Sequence, residues 1–122
     1  MTVAAVWRVV ADPLVAAVGD GRLTGQRVAV KDLFAVAGHA IGAGNPTWLA
    51  QASVEVAHAD VVATLIEAGA EVRGVTQTDE FGYGMFGVNP HHGTPPNSAA
   101  PGRVPGGSSS GAASAVASGE AD

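Results

Sequence analysis

The chain contains no cysteine, which excludes a disulfide framework, a Cys-based zinc site and a thiol nucleophile within these residues. The absence of thiols fits a reducing cytoplasm. Charge is also scarce: 14% of residues are charged, and six basic against eleven acidic residues give a net charge of −5. Nucleic-acid backbones are held by clustered Lys and Arg, so no nucleic-acid partner is expected. Nor is there a long apolar run. Residues 1–18 are apolar but interrupted by Arg8, Asp12 and Pro13, and they lack a basic start. They fall short of the roughly 20 residues that span a bilayer, so neither signal peptide nor membrane anchor is expected.

Against that scarcity of charge, 47% of residues are hydrophobic, a balance that suits a piece of a larger interior better than a solvated small domain. Exposed apolar surface is therefore expected. It would lead to self-association as a homo-oligomer or to docking against a complementary C-terminal segment.

The most distinctive stretch present is Pro105-Gly106-Gly107-Ser108-Ser109-Ser110-Gly111, followed by the small residues Ala112 to Gly119. Glycines let a backbone approach a ligand closely, and alanine is the best helix former. Hydroxyls and amides are thus aimed together from a loop that feeds a helix. A flexible Gly/Ser linker has the same composition, but a linker joins two folded pieces, whereas this run continues into an apolar helix. A phosphate-binding loop is the alternative from another class, since helix N-termini attract anions. Gly111 is followed by Ala112, so the lysine of the P-loop pattern is missing.

A second stretch, Arg27 to Phe34, is a β-branched run that reaches Lys31. A lysine at a strand end is ordinarily solvated. Val28–Val30 is predicted as a strand. Asp60 is placed to cap a helix with Val61, Val62, Leu65 and Ile66 on its apolar face, Gly69 to end it, and Glu71–Val75 to form a second strand parallel to the first. Residues 81–105 hold five prolines and five glycines and should form an ordered, irregular loop.

Other polar groups read more plainly. His91 and His92 are adjacent and have no acidic or thiol ligand at metal spacing, so no metal is expected. Asn89-Pro90 to Pro95 should shape a turn. Asp79 and Glu80, being neighbours, should point apart into capping and surface roles. Trp7 and Trp48 are expected to pack.

Three ordered blocks carry a family resemblance over about residues 23–119. The first runs from Leu23-Thr24-Gly25 through Val30-Lys31-Asp32-Leu33-Phe34 to Gly44-Asn45-Pro46-Thr47-Trp48-Leu49. The second is Thr76-Gln77-Thr78-Asp79-Glu80-Phe81, leading to Gly87-Val88-Asn89-Pro90-His91-His92-Gly93-Thr94-Pro95, and the third is the triple-serine loop. The chain resembles the amidase signature family, and within it looks most like the indoleacetamide hydrolase branch.

The resemblance implies an α/β fold with a mixed sheet covered by helices, present as its N-terminal part in one incomplete domain over 1–122. It implies hydrolysis of a small-molecule carboxamide to acid and ammonia or amine by a Ser-Ser-Lys triad, without cofactor or metal. Lys31 would be the base and Ser108, after a cis Gly107–Ser108 bond, the bridging serine. Gly106, Gly107, Ser109, Ser110 and Gly111 would support the loop or help bind substrate. A free lysine amine holds its proton to about pH 10.4, so such a base needs surroundings that disfavour its charge. The resemblance places the attacking serine roughly two dozen residues past Ser108, beyond Asp122. The isolated chain is accordingly expected to be inactive, lacking nucleophile and oxyanion donors. The alternatives are a noncatalytic fragment and an amidotransferase-like interaction subunit.

Overall fold

The computed structural model describes residues 3–122. A single helical turn α1 (Val3–Val6) leads into strand β1 (Trp7–Val15); β2 (Arg27–Lys31), α2 (Pro46–Gln51), α3 (Asp60–Glu67), β3 (Glu71–Thr76) and α4 (Ser110–Ala117) follow. The three strands form one mixed sheet in the order β1-β3-β2, with β1 antiparallel and β2 parallel to the central β3. The predicted parallel pair is present, and each of its strands runs one residue further at its C-terminal end than expected. For β2 that residue is Lys31.

The sheet is built by its valines. Val30, Val72 and Val75 are buried with Val62 and Ile66 of α3 and with Val36 from the loop after β2. Burying a side chain of this kind contributes about 1.5–3 kcal/mol, so this cluster is the principal force pressing α3 onto the sheet. Spacing at i, i+4 puts Val62 and Ile66 on the core side, while Val61 is half exposed. Asp60 does not cap this helix. Ala59 occupies the N-cap without a side-chain bond and Asp60 is the first helical residue, where its charge favours the positive helix end.

In β3 the register carries one extra residue. Val28 lies opposite Val72, but Ala29 lies opposite Gly74, and from there Lys31 pairs with Thr76. Arg73 is therefore bulged out of the ladder with β2.

A second cluster joins Val6 and Trp7 to Ala115 and Ala121, fixing α4 against α1. Small side chains allow that approach. The N–H of Gly111 donates to the Gln77 carbonyl at 3.0 Å, and the Ser114 hydroxyl donates to the Pro96 carbonyl at 2.7 Å.

Three elements have no counterpart among the predicted ones: the single turn α1, β1 and α2. β1 includes Arg8, Asp12 and Pro13, which break its apolar pattern, and it survives them because an edge strand tolerates a proline. α2 is specified locally, since Asn45 accepts from the Trp48 N–H at 2.9 Å and Pro46 opens the first turn. Trp7 packs as expected. Trp48 does not: it is half exposed and meets Phe81 edge to face.

Candidate active site

The parallel pairing of β2 and β3 delivers Lys31 and Thr76 to the same end of the sheet. Past Thr76 the chain runs through Gln77, Thr78 and Asp79 directly beneath the serine loop. The Ser108 carbonyl accepts from the Asp79 N–H at 3.1 Å and from the Thr78 hydroxyl at 2.7 Å. The Gly107 N–H donates to the Met85 carbonyl at 3.0 Å. The Gly107–Ser108 peptide is cis, the isomer the family resemblance implies.

So held, Ser108 receives a hydrogen bond from the Lys31 amine, Nζ to Oγ at 2.5 Å. The two residues singled out as base and bridging serine are thus in direct contact across 77 positions of sequence. The remaining serines divide. Ser109 is exposed and faces the groove beside Lys31. Ser110 is buried, its hydroxyl 3.4 Å from the Gln77 carbonyl, which gives it a loop-anchoring place and turns it away from any ligand. The helix α4 begins at Ser110, two residues before the alanine run.

Next to Lys31 stands an ion pair. Asp32 is almost fully buried and takes Arg8 Nε at 2.7 Å and Nη2 at 3.0 Å, together with the Gly42 N–H at 3.0 Å. Arg8 also donates to the Ala40 carbonyl. A planar guanidinium matched to a carboxylate in this way holds its partner with defined geometry, so the turn after Lys31 is tied to β1.

The adjacent acids do point apart, but only one reaches the surface. Glu80 accepts from Asn45 Nδ2 at 3.0 Å and contacts the His91 ring. Asp79 is 3% exposed, contrary to the surface or capping role expected of it. No side-chain cap bond is made by it; glycines at 84 and 107 leave space for its carboxylate, which accepts from the Gly87 N–H.

The 89–93 turn forms as read from sequence. Asn89 Oδ1 accepts from the N–H groups of His91 and His92, and its amide donates to the carbonyls of Gly44 and Thr78. Burial lowers the pKa of His92, and its neighbour His91 adds to the effect. Among the described residues, no group of three potential ligands is arranged to hold a metal ion, and no helix is long and apolar enough to cross a membrane.

An apolar groove follows β2 along the side not paired with β3, lined by Val28, Val30, Lys31, Val61, Leu65 and Ser109. At its far end Asp122 reaches the strand. Its N–H donates to the Arg27 carbonyl at 2.9 Å and its carboxylate accepts from the Arg27 N–H and guanidinium. That hydrogen bonding holds the Asp122 carboxyl below its ordinary value.

Sequence reasoning found Lys31, Ser108 and the loop, and missed Arg8, Asp32 and Asp79. A signal for Lys31 was nevertheless available, as it is the single lysine of the chain.

A family model described as Amidase matches residues 11–122. Amidase 1 of Arabidopsis thaliana is 52% identical over 95 residues, covering 78% of this chain and 22% of that protein. A glutamyl-tRNA(Gln) amidotransferase subunit of Haloarcula marismortui is 42% identical over 113 residues, covering 93% of this chain and 26% of that protein. Among solved structures, the corresponding protein from Thermotoga maritima superposes with a TM-score of 0.80 at 30% identity, over 95% of this chain and 25% of that one. The chain spans about a fifth to a quarter of the length of these relatives.

Proposed function

The chain belongs to the amidase family, and from that membership we propose that it supplies the base and the bridging serine of an amide hydrolase. The single observation that supports this most directly is the 2.5 Å contact between Lys31 Nζ and Ser108 Oγ. In its neutral form the Lys31 amine takes the Ser108 proton, and Ser108 takes the proton of an attacking serine supplied from outside residues 1–122. That serine oxygen bonds to the amide carbon, the C–N bond breaks, and the proton returns through Ser108 to the departing ammonia or amine. Water then attacks the ester by the same relay and releases the carboxylate. The substrate is a small-molecule carboxamide.

The remainder of the domain, with the attacking serine, docks along the groove beside β2, where Asp122 already bonds to Arg27. The isolated 122-residue chain is then inactive.

The test is amide turnover by the intact protein and by its Lys31→Ala variant. Loss of a positioned proton-transfer group costs about 10²–10⁴-fold, so kcat should fall by at least that much while the circular dichroism spectrum is unchanged. Near-normal turnover by a folded Lys31→Ala protein removes Lys31 from the mechanism. The likeness to part of an amidotransferase favours a second reading, a catalytic component of a larger assembly. Hydrolysis of a simple amide by the protein alone separates the two.

A further inference from the structure

Asp79 is a buried acidic group beside the serine loop to which the proposed chemistry gives no task. It is buried to 3% exposure, and its carboxylate makes a single hydrogen bond, accepting from the Gly87 N–H at 3.3 Å through Oδ2. Oδ1 has no partner among the described residues. Buried carboxylate oxygens are normally satisfied, so hydrogen bonding alone does not account for the burial of this side chain.

The surroundings show what the carboxylate does touch. A Cβ placed on Gly107 would lie 2.2 Å from Oδ2, and one on Gly84 would lie 2.5 Å from it. Glycine at both positions brings the backbone down onto the carboxylate. The backbone of the same aspartate donates its N–H to the Ser108 carbonyl, beside the Thr78 hydroxyl. Main chain and side chain of Asp79 thus contact the two successive residues of the serine loop, Ser108 and Gly107.

We propose that Asp79 is a positioning residue whose carboxylate is the seat on which Gly107 rests, setting the height of Ser108 so that its Oγ meets Lys31. As a role in catalysis this rests on the amide-hydrolysis reading above; as a role in geometry it stands without it. Nothing in the arrangement requires the charge. Asparagine fills the same volume and its oxygen can accept from Gly87, whereas alanine leaves the seat empty.

Because Lys31 is the single lysine, its amine can be followed in the 122-residue chain without turnover. The measurement is the rate of Lys31 acetylation by N-hydroxysuccinimidyl acetate, read by peptide mass spectrometry. In the parent chain Ser108 Oγ engages the amine; in Asp79→Ala that bond is lost and acetylation should quicken about fivefold, the effect of one net hydrogen bond. Asp79→Asn should stay within twofold of the parent. Ile66→Ala, which weakens the core under α3, serves as a control for general loosening and should leave the rate unchanged.

A rate for Asp79→Ala within twofold of the parent overturns the proposal, as does an equal acceleration in Ile66→Ala. In the intact protein the same Asp79→Ala substitution should lower kcat about tenfold or more with KM within threefold, the pattern of a displaced proton relay. Accelerated acetylation in an intact protein that hydrolyses no amide removes the hydrolase reading and keeps the seat. Full turnover by Asp79→Ala with an unshifted acetylation rate removes the seat and keeps the hydrolase.

Discussion

The guanidinium of Arg8 lies side-on to the carboxylate of Asp32, with nitrogen to oxygen distances of 2.7 and 3.0 Å, and Asp32 is the residue that follows Lys31. Removing one partner of a buried pair leaves the other charge uncompensated, a loss of about 3–5 kcal/mol. Arg8→Ala should therefore lower the unfolding free energy measured in urea by that amount. Replacing both at once, Arg8→Met with Asp32→Leu, should cost much less. Equal losses in the single and double variants would show that packing, and not charge, is what the pair provides.

Gly111 is a case where two effects compete and magnitude decides. Alanine is the better helix former by about 1 kcal/mol, and Gly111 sits in the first turn of α4. A Cβ there would meet the Val6 carbonyl oxygen at 2.5 Å and the Gln77 backbone at 2.8 Å. Overpacking against backbone costs about 1–3 kcal/mol, and the Gly111 to Gln77 bond is strained with it. Gly111→Ala should destabilise the chain by about 1–2 kcal/mol in chemical denaturation; an unchanged or higher midpoint would mean that α4 can lift from the sheet without penalty.

His92 gives a pH dependence of defined sign. Burial, and secondarily His91, lower its pKa from the ordinary 6.5, so the folded chain prefers the neutral ring. The unfolded chain binds more protons below that value, and folding stability should fall as pH drops through 6.5 toward the folded-state value and level off below it. Ring-proton NMR should place the His92 midpoint below 6.5, and His91→Gln should raise it. A midpoint at or above 6.5 contradicts the burial argument.

The Asn45 cap makes a fourth prediction. Its side chain accepts from Trp48 and donates to Glu80, and loss of such a cap costs about 0.5–2 kcal/mol. In Asn45→Ala, hydrogen exchange should accelerate at the Trp48 amide while amides of β3 keep their protection. Uniform acceleration throughout the chain would make the cap a global rather than a local support.

Much of this architecture could be read from local pattern. β2, α3 and β3 follow from β-branched runs and i, i+4 spacing, and the serine loop from its glycines and the alanine helix after it. Where pattern failed, the deciding force was tertiary. Arg8 and Asp12 look like breaks in an apolar run, yet β1 forms because β3 pairs with it antiparallel at Trp7, Val9, Val10 and Val15, with Arg8 and Asp12 falling in the irregular stretches between. Asp32 gains its meaning from an arginine 24 positions away. Asp79 reads as a surface acid beside Glu80, and its burial depends on glycines at 84 and 107 that only the folded loop brings to it. Lys31 and Ser108 emerged together through the family resemblance, since being the single lysine marks Lys31 out without giving it a role.

The bulge at Arg73 gives β3 one residue more than its ladder with β2 uses. In a regular strand, residues three apart face opposite sides, yet Val72 and Val75 share one core. The extra residue between them is what brings both to one side and keeps Thr76 opposite Lys31. Deleting Arg73 would leave Val72 and Val75 two apart, the spacing at which a regular strand puts both on one face, so Val75 and Thr76 would stay opposite Val30 and Lys31. A regular strand would slip on losing a residue, whereas this one holds a residue to spare between Val72 and Gly74.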